Sequence, residues 1–428
     1  VLNEFDLLFA IALFATGVSV VRARPATLIL AANQAVTLRS LANIARYGKP
    51  VSQGYLADSL FAESNLKIAL AIFTISVALT VVVCLLPKNK LTAEPATLPR
   101  LPAKLFWTLI VYFVIVFFSQ KTFFTTAYGA SDRWNYDANF GGATAFLEAT
   151  FLYEIIRRTM TSELKRGLGF AIILCLFIGT DYLHGQTGLA TGFVVVAATV
   201  IFSPERAVRR TLILGALLLG LLLLALSVRV LRSSFTAEHS QGVAQVAINI
   251  RASSANESSR GEGVESMGNG AQYACHVIEC IELYEAGISR SWRSIYSPIV
   301  YTFEPSFLLG PLGITRPREA AWELGDYFIG GGGIFVIGEL YWNGGYLCVA
   351  LVFAGMAWLA WRCDSSYRSG FTWLAMSCNF STNLLQGTGY GFAQVSRGLI
   401  NGLLMLAIYA AVHRYSGAPR DSRSFASA

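Results

Sequence analysis

Apolar runs of about 20 residues, the length a helix needs to cross a hydrocarbon core, recur along nearly the whole chain and leave one polar interval, residues 232–330. Nothing else in the sequence constrains the fold as strongly. A backbone in lipid has to satisfy its own hydrogen bonds, and the runs lack the alternation of barrel strands, so they are expected to be helices. The fold class is therefore an all-α polytopic membrane protein. Composition agrees, since 54% of the 428 residues are hydrophobic and 14% are charged. The mean hydropathy of +0.52 is above the range of water-soluble domains.

Spans are expected at 5–21, 66–86, 105–119, 140–156, 167–182, 186–202, 211–231, 344–361, 371–387 and 398–413. Residues 26–46 contain Asn33, Gln34 and Arg39, which leave two alternatives open, an eleventh span or an interfacial helix. The chain divides into N-terminal transmembrane helices (1–231), a large external loop (232–343), C-terminal transmembrane helices (344–413) and a tail (414–428). Lysine and arginine orient it. Connections 87–104, 157–166, 203–210 and 362–369 and the tail carry four, four, three, two and three of them, against three in the intervening short connections. Positive charge gathers on the cytoplasmic side, so the C-terminus is expected inside and the loop outside. The first run has no basic leader or cleavage site and reads as a retained helix.

The formal charge of +7 lies in these connections and not in a basic stripe interleaved with aromatics, which argues against nucleic acid as a partner. Seven cysteines and four histidines form neither a paired CxxC nor an HExxH, so no metal and no other cofactor is expected.

Within the loop, residues 251–270 are polar and Gly/Ser-rich and read as a mobile segment. The following AQYACHVIECIELYEAGIS puts Tyr273, Val277, Cys280 and Tyr284 on one helical face and Glu279, Glu282 and Glu285 on another. A helix lying against the bundle is expected there. Cys275 and Cys280 read as small apolar residues, with a disulfide as the alternative. The loop holds seven arginines and no lysine. Arg290 and Arg293 would share one face of a turn, and Arg316 and Arg318 flank Pro317. A guanidinium fork matches phosphate oxygens, so each pair can grip an anion. The alternative is an ion pair with Glu304, Glu319, Glu323 or Asp326.

In GGGGIFVIGELYWNGGYL, residues 330–347, the part up to 343 is expected to be a glycine-rich, irregular segment that dips into the outer interface. Gly344 and Gly345 would separate it from the next span, with Tyr341 and Trp342 at headgroup depth. Glu339 then lines a wet cavity as a candidate general base; its alternative is to cap a helix start or pair with an arginine. His276 is the second candidate base, with Glu279 one turn on to orient it.

Ten or so spans, a long outer loop before the last three, and this glycine, Glu and Asn-Gly stretch resemble the bacterial oligosaccharide repeat-unit polymerases. These are the Wzy-type O-antigen and exopolysaccharide polymerases, related to O-antigen ligases. The resemblance implies a GT-C-like bundle in the bacterial inner membrane and no cofactor. It implies transfer of a glycan from an undecaprenyl-diphosphate-linked oligosaccharide donor to a lipid-linked acceptor, with a flippase and a chain-length regulator as pathway partners. Under it Arg290, Arg293, Arg316 and Arg318 hold the diphosphate, Arg397 adds an outer-face cation, Tyr341 contacts substrate, and Glu339, ahead of His276, takes the proton. Two other functions remain in view. A ligase would attach finished glycan to a lipid A core, and a flippase or other transporter would call for ionisable residues in mid-span and internal repeats.

Overall fold

The computed structural model describes residues 3–47, 62–87, 98–100, 131–160, 187–203, 270–297, 320–327, 334–367 and 370–415, with short pieces between 107 and 111, 169 and 179, and 206 and 223. The expected spans 105–119, 167–182 and 211–231 fall wholly or partly outside the described residues, as do Arg316, Arg318 and the stretch 251–269.

Among the described residues there is no strand. The main helices are α1 (Glu4–Val21), α2 (Pro25–Tyr47), α3 (Glu63–Leu85), α4 (Ser131–Met160), α5 (Thr187–Ile201), α6 (Gly270–Glu285), α7 (Ala320–Leu324), α8 (Val336–Ser366), α9 (Phe371–Met376), α10 (Thr382–Tyr390) and α11 (Phe392–Tyr415). A π-helical turn, Ser377–Ser381, joins α9 to α10. Four of them, α1, α3, α8 and the Phe392–Val412 part of α11, are long and apolar enough to cross a membrane.

Helix α2 covers the stretch 26–46. At its far end Asn3 of α1 donates to Ala42 O (2.9 Å) and Arg46 pairs with Asp6 (2.7 Å). At its near end, beside the last turn of α8, Asp364 accepts hydrogen bonds from Ala26 N, Thr27 N and Thr27 Oγ1 (2.9, 2.8 and 2.6 Å). The helix therefore runs the length of α1, antiparallel to it. Leu28, Ile29, Leu30, Leu38, Leu41 and Ile44 are all buried within the bundle, and α2 is not among the described helices long and apolar enough to cross a membrane. Two of its polar residues have partners, Asn33 donating to Thr388 Oγ1 and Arg39 lying 3.8 Å from Asp6, whereas neither polar atom of the buried Gln34 has one among the described residues.

Helix α6 forms where the 3.6-residue period placed it, but it is enclosed rather than laid on the surface. Residues Ala274–Ile281 are buried all round, because α6 packs against α2, α3 and α8 together. The expected glutamate face is thereby split. Glu279 is buried, whereas Glu282 accepts from Asn65 Nδ2 and Glu285 from the Tyr341 hydroxyl, each at 2.7 Å. Cys275 and Cys280 are free thiols.

Ring contacts set the register of α6 and α8 on α3. Asn65, near the start of α3, meets Glu282; Phe73, eight residues on and so about 12 Å along the axis, stacks on Phe335, which also stacks on Tyr273. Helix α6 thus runs antiparallel to α3. Gly338 lies against the Val277 backbone and Tyr341 reaches Glu285, so residues 336–343 run alongside α6, from the level of Phe73 back to that of Asn65. Beyond Gly345 the chain descends again, and Trp361 Nε1 donates to Pro87 O at the opposite end of α3. The direction reverses at Gly344 and Gly345, where the backbone leaves helical values; Gly345 has φ 62°. A side chain at Gly345 would meet the Tyr284 hydroxyl at 2.8 Å in a backbone region that L-residues rarely adopt. The break expected from the two glycines is therefore present. The expectation of irregular backbone is corrected for 336–343, which is helical and so pairs most of its backbone groups internally.

Candidate functional site

The short arm 336–343 organises the site. A helix end leaves carbonyls without intrahelical partners, and here Trp342 O and Asn343 O accept from Arg290 N and Trp292 N, both at 3.1 Å. The Asn343 side chain completes the joint: its Oδ1 accepts from Ser294 N (3.0 Å), and its Nδ2 donates to Ser294 Oγ (2.9 Å) and Glu339 O (2.7 Å). To present these amides the turn carries two non-glycine residues at positive φ, Ser291 at 50° and Trp292 at 64°. The arm thereby brings Arg290, Arg293, Glu339 and Tyr341 into one unit, with the His276 backbone against Gly338.

Arg290 and Arg293 converge on one carboxylate. Arg290 Nη1 lies 2.6 Å from Glu323 Oε2, and its guanidinium sits 5.2 Å from the Trp342 ring centre. Arg293 Nη1 is 3.4 Å from both oxygens of Glu323. Their exposures differ: Arg290 is 1% exposed and Arg293 44%. The two arginines do stand together, and the ion-pair alternative is the one realised between them.

Glu339 is 2% exposed, and its Oε2 accepts the Phe392 backbone N–H at 2.6 Å. This is the capping alternative: the carboxylate sits at the positive end of α11. Tyr341 and Trp342 are buried in protein, with the indole Nε1 donating to Ile288 O (2.6 Å). The reversal at Gly344 leaves both rings packed against protein. Arg397 lies five residues beyond Phe392 on α11, and its Nη1 donates to Gln394 Oε1 (3.0 Å).

His276 and Glu279 are both buried on α6, which is not one of the spanning helices. His276 Nδ1 and Glu279 Oε2 have no hydrogen-bond partner, so Glu279 does not orient the imidazole. Burial pushes the Glu279 carboxyl up to about 7 and the His276 imidazole down to about 4. A raised carboxyl value means that the stabilisation present below the unfolded value of 4.5 is lost as pH climbs through 7. His276 has the opposite sign and loses its contribution as pH falls, so only a comparison of variants isolates Glu279. Unfolding in detergent micelles is expected to shift in favour of Glu279→Gln by about 3 kcal/mol between acid and mildly alkaline pH. A stability difference that does not change with pH would contradict this.

Sequence reasoning placed Glu323 only among four possible ion-pair partners and gave Asn343 no role. The signal for Asn343 was in view, because an Asn-Gly pair closing an apolar stretch marks a turn. No protein-family model, no curated protein and no solved structure matches the chain.

Proposed function

We infer that the chain is a membrane glycosyltransferase that joins polyprenyl-diphosphate-linked oligosaccharide repeats on the outer face of a bacterial inner membrane, with ten or eleven spans and a cytoplasmic C-terminus. The observation that carries this is the convergence of Arg290 and Arg293 on the same hairpin arm that bears Glu339. A diphosphate is a good leaving group, so such a site needs mainly to offset the departing charge and to take one proton. The acceptor hydroxyl oxygen forms a bond to the anomeric carbon, the bond from that carbon to the diphosphate breaks, and the hydroxyl proton passes to Glu339 or, failing that, His276. Arg290, Arg293, Arg316, Arg318 and Arg397 supply the cationic surface, and Tyr341 supports it through Glu285. In this arrangement α6 and residues 334–343 run side by side as a re-entrant element at membrane depth, where protein covers its polar groups. A ligase would share this chemistry and differ in its acceptor.

Reconstitution in liposomes with a defined lipid-linked repeat tests the proposal. Chains of increasing length are expected from the wild type, and Arg293→Ala and Arg316→Ala are expected to reduce elongation at least tenfold while inserting normally. Undiminished elongation by both variants would remove the site assignment. Failure of the wild type to elongate, with transfer to a lipid A core instead, would favour the ligase.

A further inference from the structure

We propose that Glu323 is a tethered carboxylate occupying the place of an anionic ligand between Arg290 and Arg293, and that a diphosphate binds there by exchanging with it. The inference rests on the diphosphate reading of these arginines and adds the residue that competes for them.

Three features of the cluster support it. Two guanidinium groups share a single carboxylate. The grip is uneven: Arg290 holds Oε2 at 2.6 Å, whereas Arg293 stands 3.4 Å from both oxygens, the outer edge of hydrogen-bond distance. The open side is also the one that faces solvent, since Glu323 is 19% exposed and Arg293 44%, against 1% for Arg290. Arg290 is further fixed from behind by the Trp342 ring and by its own backbone bond to Trp342 O. A ligand therefore reaches a preset fork by way of Arg293 and takes over the oxygen positions of Glu323.

The exchange also selects for charge. A monoanion offers the arginines no more than the carboxylate already there, and the carboxylate has the advantage of belonging to the same chain. A diphosphate brings at least two charges and several acceptor oxygens, enough to engage both forks bidentately. The ligand class is thus a diphosphate, whether free or attached to a lipid. Glu323 keeps the site closed to chloride and to simple carboxylates.

The test uses the full chain in detergent micelles with inorganic pyrophosphate, measured by titration calorimetry. Glu323→Gln is expected to bind pyrophosphate at least tenfold more tightly than the wild type, and Arg293→Gln to lose most binding. Unchanged or weaker binding by a Glu323→Gln variant with a normal melting temperature would overturn the proposal. The wild type gives a second readout. Hydrogen exchange at Ala320–Leu324 is expected to quicken when pyrophosphate is added, because the turn is released, and no change there would overturn the exchange. Farnesyl diphosphate separates the sources. Binding at least as tight as pyrophosphate supports a lipid-linked ligand. Pyrophosphate binding with farnesyl diphosphate excluded would keep the role of Glu323 and remove the polymerase function.

Discussion

The Glu339→Gln variant is expected to fold normally and to lose glycan transfer by roughly two to four orders of magnitude, the usual contribution of a positioned proton acceptor. Glutamine retains a carbonyl oxygen for the Phe392 N–H, now bonded at 2.6 Å, but cannot accept the acceptor's proton. Glu339→Ala is expected to lose both. It would leave a buried backbone donor without its partner, at about 1–3 kcal/mol. The neighbourhood is shaped to the carboxylate: Gly391 has φ 105°, and a Cβ there would lie 2.8 Å from Glu339 Oε2. Transfer rates set beside melting temperatures for the two variants separate capping from catalysis. Full activity in Glu339→Gln would confine Glu339 to capping α11 and pass the base role to His276.

Asp364→Ala is expected to destabilise the bundle by about 3–5 kcal/mol, the largest purely structural effect of any single change considered. Its carboxylate, buried at the end of α8, takes two backbone amides and one hydroxyl from the first turn of α2. The preceding Arg24 is buried and directs its guanidinium to Val83 O and Leu86 O at the end of α3, where Arg22 also donates to Cys84 O and Leu85 O. Asp364 is also an opposing charge that acts on Arg24. Its loss leaves orphaned donors at a helix start and a buried cation without its counter-charge. Melting curves in micelles, with hydrogen exchange over Pro25–Leu30, would register the change. A loss below about 1 kcal/mol would show that water replaces the carboxylate at little cost.

Among the described residues, several helices were legible as runs of apolar residues of the length needed to cross a bilayer. Residues 5–21 and 66–86 became α1 and α3 to within a few residues, and 398–413 became the larger part of α11. The amphipathic period of 273–284 marked α6, and Gly344 with Gly345 marked the reversal in α8. These are local properties: a 3.6-residue period, a hydropathy sum and a missing Cβ each need only neighbours in sequence.

Burial and pairing were not legible, because they depend on which segments meet. Asn33 and Arg39 weakened the case for α2 as a buried helix until Thr388 and Asp6 came beside them. Glu279 looked like one of three exposed acids until α2, α3 and α8 closed round it. Glu339 met Phe392 across 53 residues, Arg290 met Glu323 across 33, and Asp364 met Thr27 across 337. The sequence by itself determined that this chain is helical, apolar and broken at two glycines. Only the tertiary structure decided which charges are spent on one another, since an ionisable group takes its protonation and its partner from whatever the fold packs against it.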